Sequence, residues 1–348
     1  MKPSDHTLLV TGANGFVGGH LLQRALKRGY NIRATIRSQR AQELILTQFS
    51  EYSSQLSFAL IPGITSPEFY KTAFDGANIT GVIHLASPVH LHPEDNIRDM
   101  LEPAIKGAVS IVQAVSRYAP TVQRIVNTSS FAAMLDVSQG FRPGYTYDED
   151  DWNPMTYEEA AKAGPLGAYC ASKALAEKGM WEYMKSEPKP TFDLVSVNPA
   201  VIYGPHVYPI RDLNALNPSC AAIWALVDAP SIPAPDYAAY VDVRDVADAL
   251  LLAFETPKAR GERLLVAQHF DWQSAADAAR SALPETARTR IPKGVPMNDE
   301  RWRNEVYAVD GSKSPKILGF QYLTLQGTIG DSLKQYLEVE EKTRQAKD

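Results

Sequence analysis

A short apolar run that turns through three glycines into a helical pattern constrains this chain more than any other stretch. Residues 7–20 read TLLVTGANGFVGGH. Leu8, Leu9 and Val10 form a β-like run, and Gly12, Gly15 and Gly18 follow in G-x-x-G-x-x-G spacing. Phe16, Val17, Leu21, Leu22, Ala25 and Leu26 then recur at helical spacing. Strand, glycine turn and helix form the context in which such glycines point to a dinucleotide. The first glycine permits a sharp turn, the second a close approach of backbone to pyrophosphate, the third tight helix–strand packing. The helix start then offers free N–H groups and the positive end of its dipole to phosphate.

The same alternation continues. Apolar runs at 31–36, 56–61, 81–85, 124–128 and 192–197 read as strands, and 40–49, 93–118 and 167–185 as helices. The long helix carries Ile97, Leu101, Ile105, Val109 and Val112 at helical spacing. Ser66-Pro67-Glu68 has the form of a helix start, with a serine N-cap and proline at the first position. Continuous apolar strands alternating with helices predict a parallel sheet covered on both faces. Segment 131–165 is different: it is rich in Asp, Glu, Gly, Pro and Tyr and has no long periodicity. A loop of that length ordinarily serves a function, and it lies beyond the C-terminal end of the fifth strand, where open α/β sheets place their ligands.

From residue 200 the pattern loosens, and Pro205, Pro209, Pro218, Pro230, Pro233 and Pro235 cluster in a smaller second region. Residues 240–254 return to strand-then-helix order and are expected to rejoin the sheet, whereas 340–348 read as a frayed polar end. The expected division is a dinucleotide-binding domain over 1–199 and 236–255, with a substrate-binding region over 200–235 and 256–348.

Composition excludes other classes. The 348 residues are 45% hydrophobic and 22% charged, the balance of a soluble globular chain. A net charge of −5 leaves no basic footprint for nucleic acid, and no window of about 18 uninterrupted apolar residues suits a membrane. Cys170 and Cys220 cannot build a disulfide framework, and the first strand begins too early for a signal peptide. A cytoplasmic location is the expectation. His90 and His92 lack further ligands nearby, so they read as loop residues and no metal is expected.

The chemistry concentrates in YCASK, 169–173. Tyr169 and Lys173, four apart, share one helix face. A nearby cation stabilises a phenolate and lowers its pKa, so such a tyrosine can protonate a carbonyl oxygen near neutral pH. Thr128-Ser129-Ser130 closes the fifth strand, where a serine hydroxyl can reach the same oxygen or cap the next turn.

TGANGFVGGH, VIHLASPV, NTSSFAAM, YCASKALAEKGMW and NPAVIYGP together resemble the extended short-chain dehydrogenase/reductase family. More narrowly they are similar to its dihydroflavonol-4-reductase-like branch, and within it to NADPH-dependent methylglyoxal, aldehyde and ketone reductases. DEDDWNPMTYE, YVDVRDVA and KILGF extend the likeness over nearly the whole chain. The resemblance implies a Rossmann-type doubly wound parallel sheet with a smaller, mixed α/β C-terminal substrate-binding region. It implies a Ser-Tyr-Lys mechanism in which Ser130, the second of the serine pair, acts with Tyr169 as proton donor and Lys173. Hydride would pass from the cofactor to a ketone or aldehyde carbon. By the same likeness the cofactor would meet Gly12, Asn14, Gly15, Phe16, Val17, Gly18, Ile64, Leu85, Ala86, Ser87, Thr128, Tyr169, Lys173, Pro199 and Val201. Asn198-Pro199 would lie beside the nicotinamide.

One departure stands in that pattern. The family usually places Asp after the third strand to meet the adenine amine, and this chain has Gly63-Ile64. NADPH rather than NADH is expected, because Arg37, Ser38 and Arg40 follow the second strand and no acidic residue lies between Asp5 and Glu43. An arginine there can pair with a 2′-phosphate. The substrate pocket is expected to draw on Pro88, Val89, Phe131, Leu135, Val201 and Ile202. Relatives often carry aromatic residues where Val89, Leu135 and Val201 stand, so a roomier apolar cavity is expected. A monomer or homodimer acting on a small-molecule ketone or aldehyde fits this reading. Two alternatives stay open: a non-catalytic NAD(P) sensor, and a nucleotide-sugar epimerase.

Overall fold

The computed structural model describes residues 2–87, 93–295 and 305–346. The strands among the described residues are β1 (Thr7–Thr11), β2 (Asn31–Ile36), β3 (Leu56–Leu60), β4 (Ile79–His84), β5 (Arg124–Thr128), β6 (Thr146–Tyr147), β7 (Asp193–Pro199), β8 (Val201–Tyr203), β9 (Ala239–Asp242), β10 (Arg263–Val266), β11 (Gln268–His269) and β12 (Ala308–Val309). Seven make one sheet in the order β10-β7-β5-β4-β1-β2-β3, and every pairing in it is parallel. The chain leaves β1 for β2 on one side and later fills β4 on the other. The crevice at the C-terminal ends of β1 and β4 is therefore the switch point where such sheets bind ligands.

Both faces of this sheet are buried. Leu8 and Val10 join a core with helices α1 (Phe16–Lys27) and α2 (Gln39–Gln48), whereas Leu9 between them joins the opposite core. That second core holds Ile111, Val112 and Val115 of the helix Glu102–Tyr118 and Ala176 and Met180 of the helix Pro165–Tyr183. Successive side chains of a strand face opposite ways, so a strand covered twice must be apolar at every position. The long helix begins with a wider turn at Ile97–Leu101 before Glu102–Tyr118, where Pro103 has no N–H to give. Ser66 stands at the N-cap position of a short 3-10 turn, Pro67–Tyr70, but its hydroxyl does not cap it; it bonds Glu68 instead.

Two expectations are corrected. The segment from 240 does not rejoin the main sheet: β9 is the middle of a separate three-stranded sheet, parallel to β8 and antiparallel to β11. The helix after it, Val243–Glu255, does return and packs on the first core. The main sheet's edge strand is instead β10, from the segment expected to belong to the substrate region. The C-terminus is not frayed at 340: a helix spans Leu325–Gln345. Ile329, Leu333 and Tyr336 bury one stripe of it among Tyr203, Phe270 and Trp272, and Arg290 holds Glu340 at 2.6 Å. The long segment 131–165 folds back through short elements, including Tyr157–Ala160, started by a reciprocal Thr156–Glu159 capping box. Its β6 pairs with β12.

Candidate active site

The glycine turn is built for close packing. Gly12 has φ +70°, a conformation side chains disfavour. A Cβ on Gly18 would collide with the Gly12 carbonyl and lie 2.7 Å from that of Ala13. Thr11 anchors the turn across the switch point, its hydroxyl accepting from Leu85 N and Ala86 N, each at 3.0 Å. His84 Nδ1 lies 2.9 Å from the same oxygen. Burial, and then the charge of Lys173, push His84 down to about 4, so it is neutral and can accept the Thr11 proton. Asn14 and Gly15 are exposed at the mouth, and no side chain caps the first turn of α1. Those N–H groups fit a phosphate.

Asn14, Gly15 and Phe16 line a cleft of about 920 Å³ with Ser38 and Arg40. The far wall runs from His206 to Asn217. Its position is secured by Tyr208, whose hydroxyl donates to Ala13 O at 2.8 Å, and by His206, whose ring lies tilted against Phe16, 4.6 Å between centres. Arg37 is exposed just before Ser38 and is not among the walls. Val17 packs into the first core and Ile64 against Gly107 in the second.

Lys173 and Tyr169 sit on the helix Pro165–Tyr183, which starts with proline at its first position and packs against the turn after β5. Lys173 is 9% exposed; its ammonium donates to Ser87 Oγ at 2.8 Å and lies 5.6 Å from the centre of the Tyr169 ring. Burial lowers it to about 8. The depressed tyrosine expected from the sequence is not found. Burial pushes Tyr169 up to about 12, and the thiol of Cys170 adds to this, with the Ser130 hydroxyl pulling the other way. Desolvation of a phenolate outweighs a cation whose nearest partner is elsewhere.

The two serines differ. Ser129 donates to Glu177 Oε2 at 2.6 Å. Ser130 accepts from Ala132 N at 3.1 Å, capping the turn Phe131–Ala133, and its hydroxyl meets that of Tyr169. Beside them Thr128 Oγ1 and Asn198 Oδ1 are buried without partners, next to Pro199 at the sheet's C-terminal edge. Orphaned polar atoms there fit a polar ligand.

The proposed pocket residues do not all come together. Phe131 is buried against Tyr147 and Tyr307, at 5.6 and 5.8 Å between ring centres, and Leu135 joins this cluster. Val201 and Ile202 are consecutive in β8 and face opposite ways, Val201 toward the second region and Ile202 into the first core. Pro88 and Val89 lie outside the described residues, as do His90 and His92. The sequence reading missed the aromatic cluster and the buried pair Glu177–Arg263, 2.7 Å apart. Glu177 was open to discovery, since it follows Tyr169 and Lys173 at four-residue steps on the same face. Arg263 carries no local signal. Among the described residues no group of three metal-ligating side chains occurs, and no helix is long and apolar enough to cross a membrane.

The pattern of the NAD dependent epimerase/dehydratase family matches residues 8–267. The NADPH-dependent methylglyoxal reductase of Saccharomyces cerevisiae is 33% identical over 341 residues, covering 96% of this chain and 99% of the relative. A ketoreductase of Aspergillus niger is 35% identical over 342 residues, covering 95% and 97%. The crystal structure of the yeast methylglyoxal/isovaleraldehyde reductase with NADPH superposes with a TM-score of 0.88 at 33% identity, over 96% of this chain and 99% of that one. The chain thus belongs to the NAD dependent epimerase/dehydratase family.

Proposed function

We propose that this protein is an NADPH-dependent carbonyl reductase that converts a ketone or aldehyde to the alcohol. The observation that carries it is the meeting of Tyr169, Lys173 and Ser130 at the C-terminal edge of a parallel sheet, beside the glycine turn. The activities of the relatives, reduction of methylglyoxal and of ketones, support it.

NADPH supplies the hydride when bound. It would be held by Gly12, Asn14, Gly15, Phe16 and Gly18 at the pyrophosphate and by Arg37, Ser38 and Arg40 at the phosphorylated ribose. Leu85, Ala86, Ser87, Thr128, Pro199 and Val201 would border the nicotinamide end. Tyr169 gives its proton to the carbonyl oxygen as charge develops there. Its raised pKa keeps it protonated throughout the neutral range, the form a donor needs. Ser130 donates a hydrogen bond to the same oxygen. Lys173, the cation beside neutral His84, stabilises the phenolate left behind. Phe131 and Leu135, backed by the buried rings of Tyr147 and Tyr307, would give the substrate an apolar wall on one side, with Val201 on another.

The test is NADPH consumption with methylglyoxal, isovaleraldehyde and an aryl ketone, in native protein and in Tyr169→Phe. Native turnover and a loss of about 10²–10⁴-fold in the variant are expected. Undiminished turnover in Tyr169→Phe with normal cofactor binding overturns the assignment. A native protein that reduces none of the three, yet is purified with bound NAD, favours the epimerase reading.

A further inference from the structure

Glu177 is 1% exposed and accepts four hydrogen bonds, two on each oxygen. Ser129 Oγ (2.6 Å) and Asn198 Nδ2 (2.7 Å) reach Oε2. Arg263 Nε (2.7 Å) and Trp181 Nε1 (3.2 Å) reach Oε1. These donors come from the ends of β5 and β7, from the edge strand β10 and from the carboxylate's own helix. Asn198 Nδ2 also donates to the Ser130 carbonyl at 3.2 Å. One carboxylate thus grips the residue before Ser130 by its side chain and Ser130 itself through Asn198.

The other end of the network reaches the long segment. Arg263 Nη1 donates to Glu149 O and, at 2.9 Å, to Asp151 O, and its guanidinium lies 3.5 Å from the centre of the Trp152 ring. Lys178, one residue beyond Glu177, donates to Asn153 O at 3.2 Å. Asn153 in turn donates to Leu135 O at 2.7 Å. The pair therefore fastens the segment bearing Phe131 and Leu135 to the helix bearing Tyr169 and Lys173.

We propose that Glu177 is a positioning residue: by holding Ser129 and Asn198 it turns Ser130, and not Ser129, toward the carbonyl oxygen that Tyr169 protonates. Two adjacent strand-end serines compete for that place. Glu177 removes one by engaging its hydroxyl and fixes the backbone of the other. The arrangement deepens the reductase reading and rests on it.

The test is a double-mutant cycle between Glu177→Gln and Ser130→Ala, using the panel carbonyl that native protein reduces fastest. Glutamine keeps the shape but presents an amide N–H₂ to groups that are themselves donors. Glu177→Gln is expected to lower kcat by about 10- to 100-fold, the size of a small misplacement of a reacting group. NADPH affinity, read by fluorescence titration, should change by less than about twofold, because the glycine turn lies apart. If Glu177 acts through Ser130, the double variant is no slower than Ser130→Ala alone, whereas independent effects multiply. Ser129→Ala removes one bond to the carboxylate without stranding a charge. It should lower kcat by several-fold and likewise add nothing to Ser130→Ala, which keeps the proposal testable if Glu177→Gln does not fold. Multiplying losses, or a lowered melting temperature with unchanged kcat, overturn the role of Glu177 and leave the reductase reading standing. Full activity in Ser130→Ala overturns both the serine assignment and this proposal. No turnover in native protein removes the reductase reading and this proposal with it.

Discussion

Lys173 donates to Ser87 Oγ at 2.8 Å, joining the helix that carries Tyr169 to the chain just beyond β4. The contact places a buried ammonium beside the crevice at the sheet's switch point. The hydrogen-bond partner of the lysine is thus a hydroxyl and not Tyr169, whose pKa is set first by burial.

Burial lowers Lys173 from the ordinary 10.5 to about 8. Unfolded chains thus bind more protons than folded ones between these values, and stability rises with pH across that window. Below it the folded protein carries the full cost of a desolvated cation. Lys173→Met is expected to melt above native protein at pH 7, with the gap narrowing as pH rises through about 8 toward 10.5. Thermal scans across that range check this, and a gap independent of pH counts against a charged, desolvated Lys173.

Asp245 is 3% exposed and accepts from Leu323 N at 2.9 Å. Burial first, and then Asp242 and Asp248, push it up to about 7 from 3.8. Its folded form keeps a proton that the unfolded form has lost, so stability falls as pH rises from about 4 to 7. Asp245→Asn retains an acceptor for Leu323 and cannot ionise. Its melting temperature should gain on native protein through that interval and hold a constant lead above it. No change in the difference across the interval refutes the shift.

Gly18 and Gly19 are adjacent but differ in what surrounds them. A Cβ on Gly18 meets backbone of Gly12 and Ala13, whereas one on Gly19 meets the Tyr208 ring at 2.9 Å. Backbone in a tight turn cannot yield as a side chain can. Gly18→Ala is expected to cost about 1–3 kcal/mol and to weaken NADPH binding, with Gly19→Ala milder in both. Denaturant unfolding and cofactor titration compare them, and equal effects remove the packing argument.

Arg40 lines the cleft, and Arg37 is exposed three residues before it. A charge-assisted bond to phosphate is worth about 1.5–3 kcal/mol, or roughly 10- to 100-fold. The ratio of kcat/KM for NADPH over NADH should fall by that order in Arg37→Ala and Arg40→Ala, and approach one in the double variant. A ratio unmoved by both places the 2′-phosphate elsewhere.

Much of this architecture is written locally. The apolar runs, the Gly12-Gly15-Gly18 spacing and the four-residue step from Tyr169 to Lys173 follow from backbone periods of two and 3.6 residues, and those periods need no knowledge of the rest of the chain. They were enough for the parallel sheet, the helix that carries Tyr169, and the family resemblance. What they leave open is set by partners distant in sequence. β9 and β10 are both short apolar strands, and only the packing of the second region sends one to the small sheet and the other to the main edge. Ser129 and Ser130 are the same residue, and the carboxylate of Glu177, 48 positions away, separates them. The height of the Tyr169 pKa belongs to neither Tyr169 nor Lys173 but to how much water the folded chain excludes around them. Desolvation is a property of the whole packed molecule, and a sequence read in windows cannot contain it.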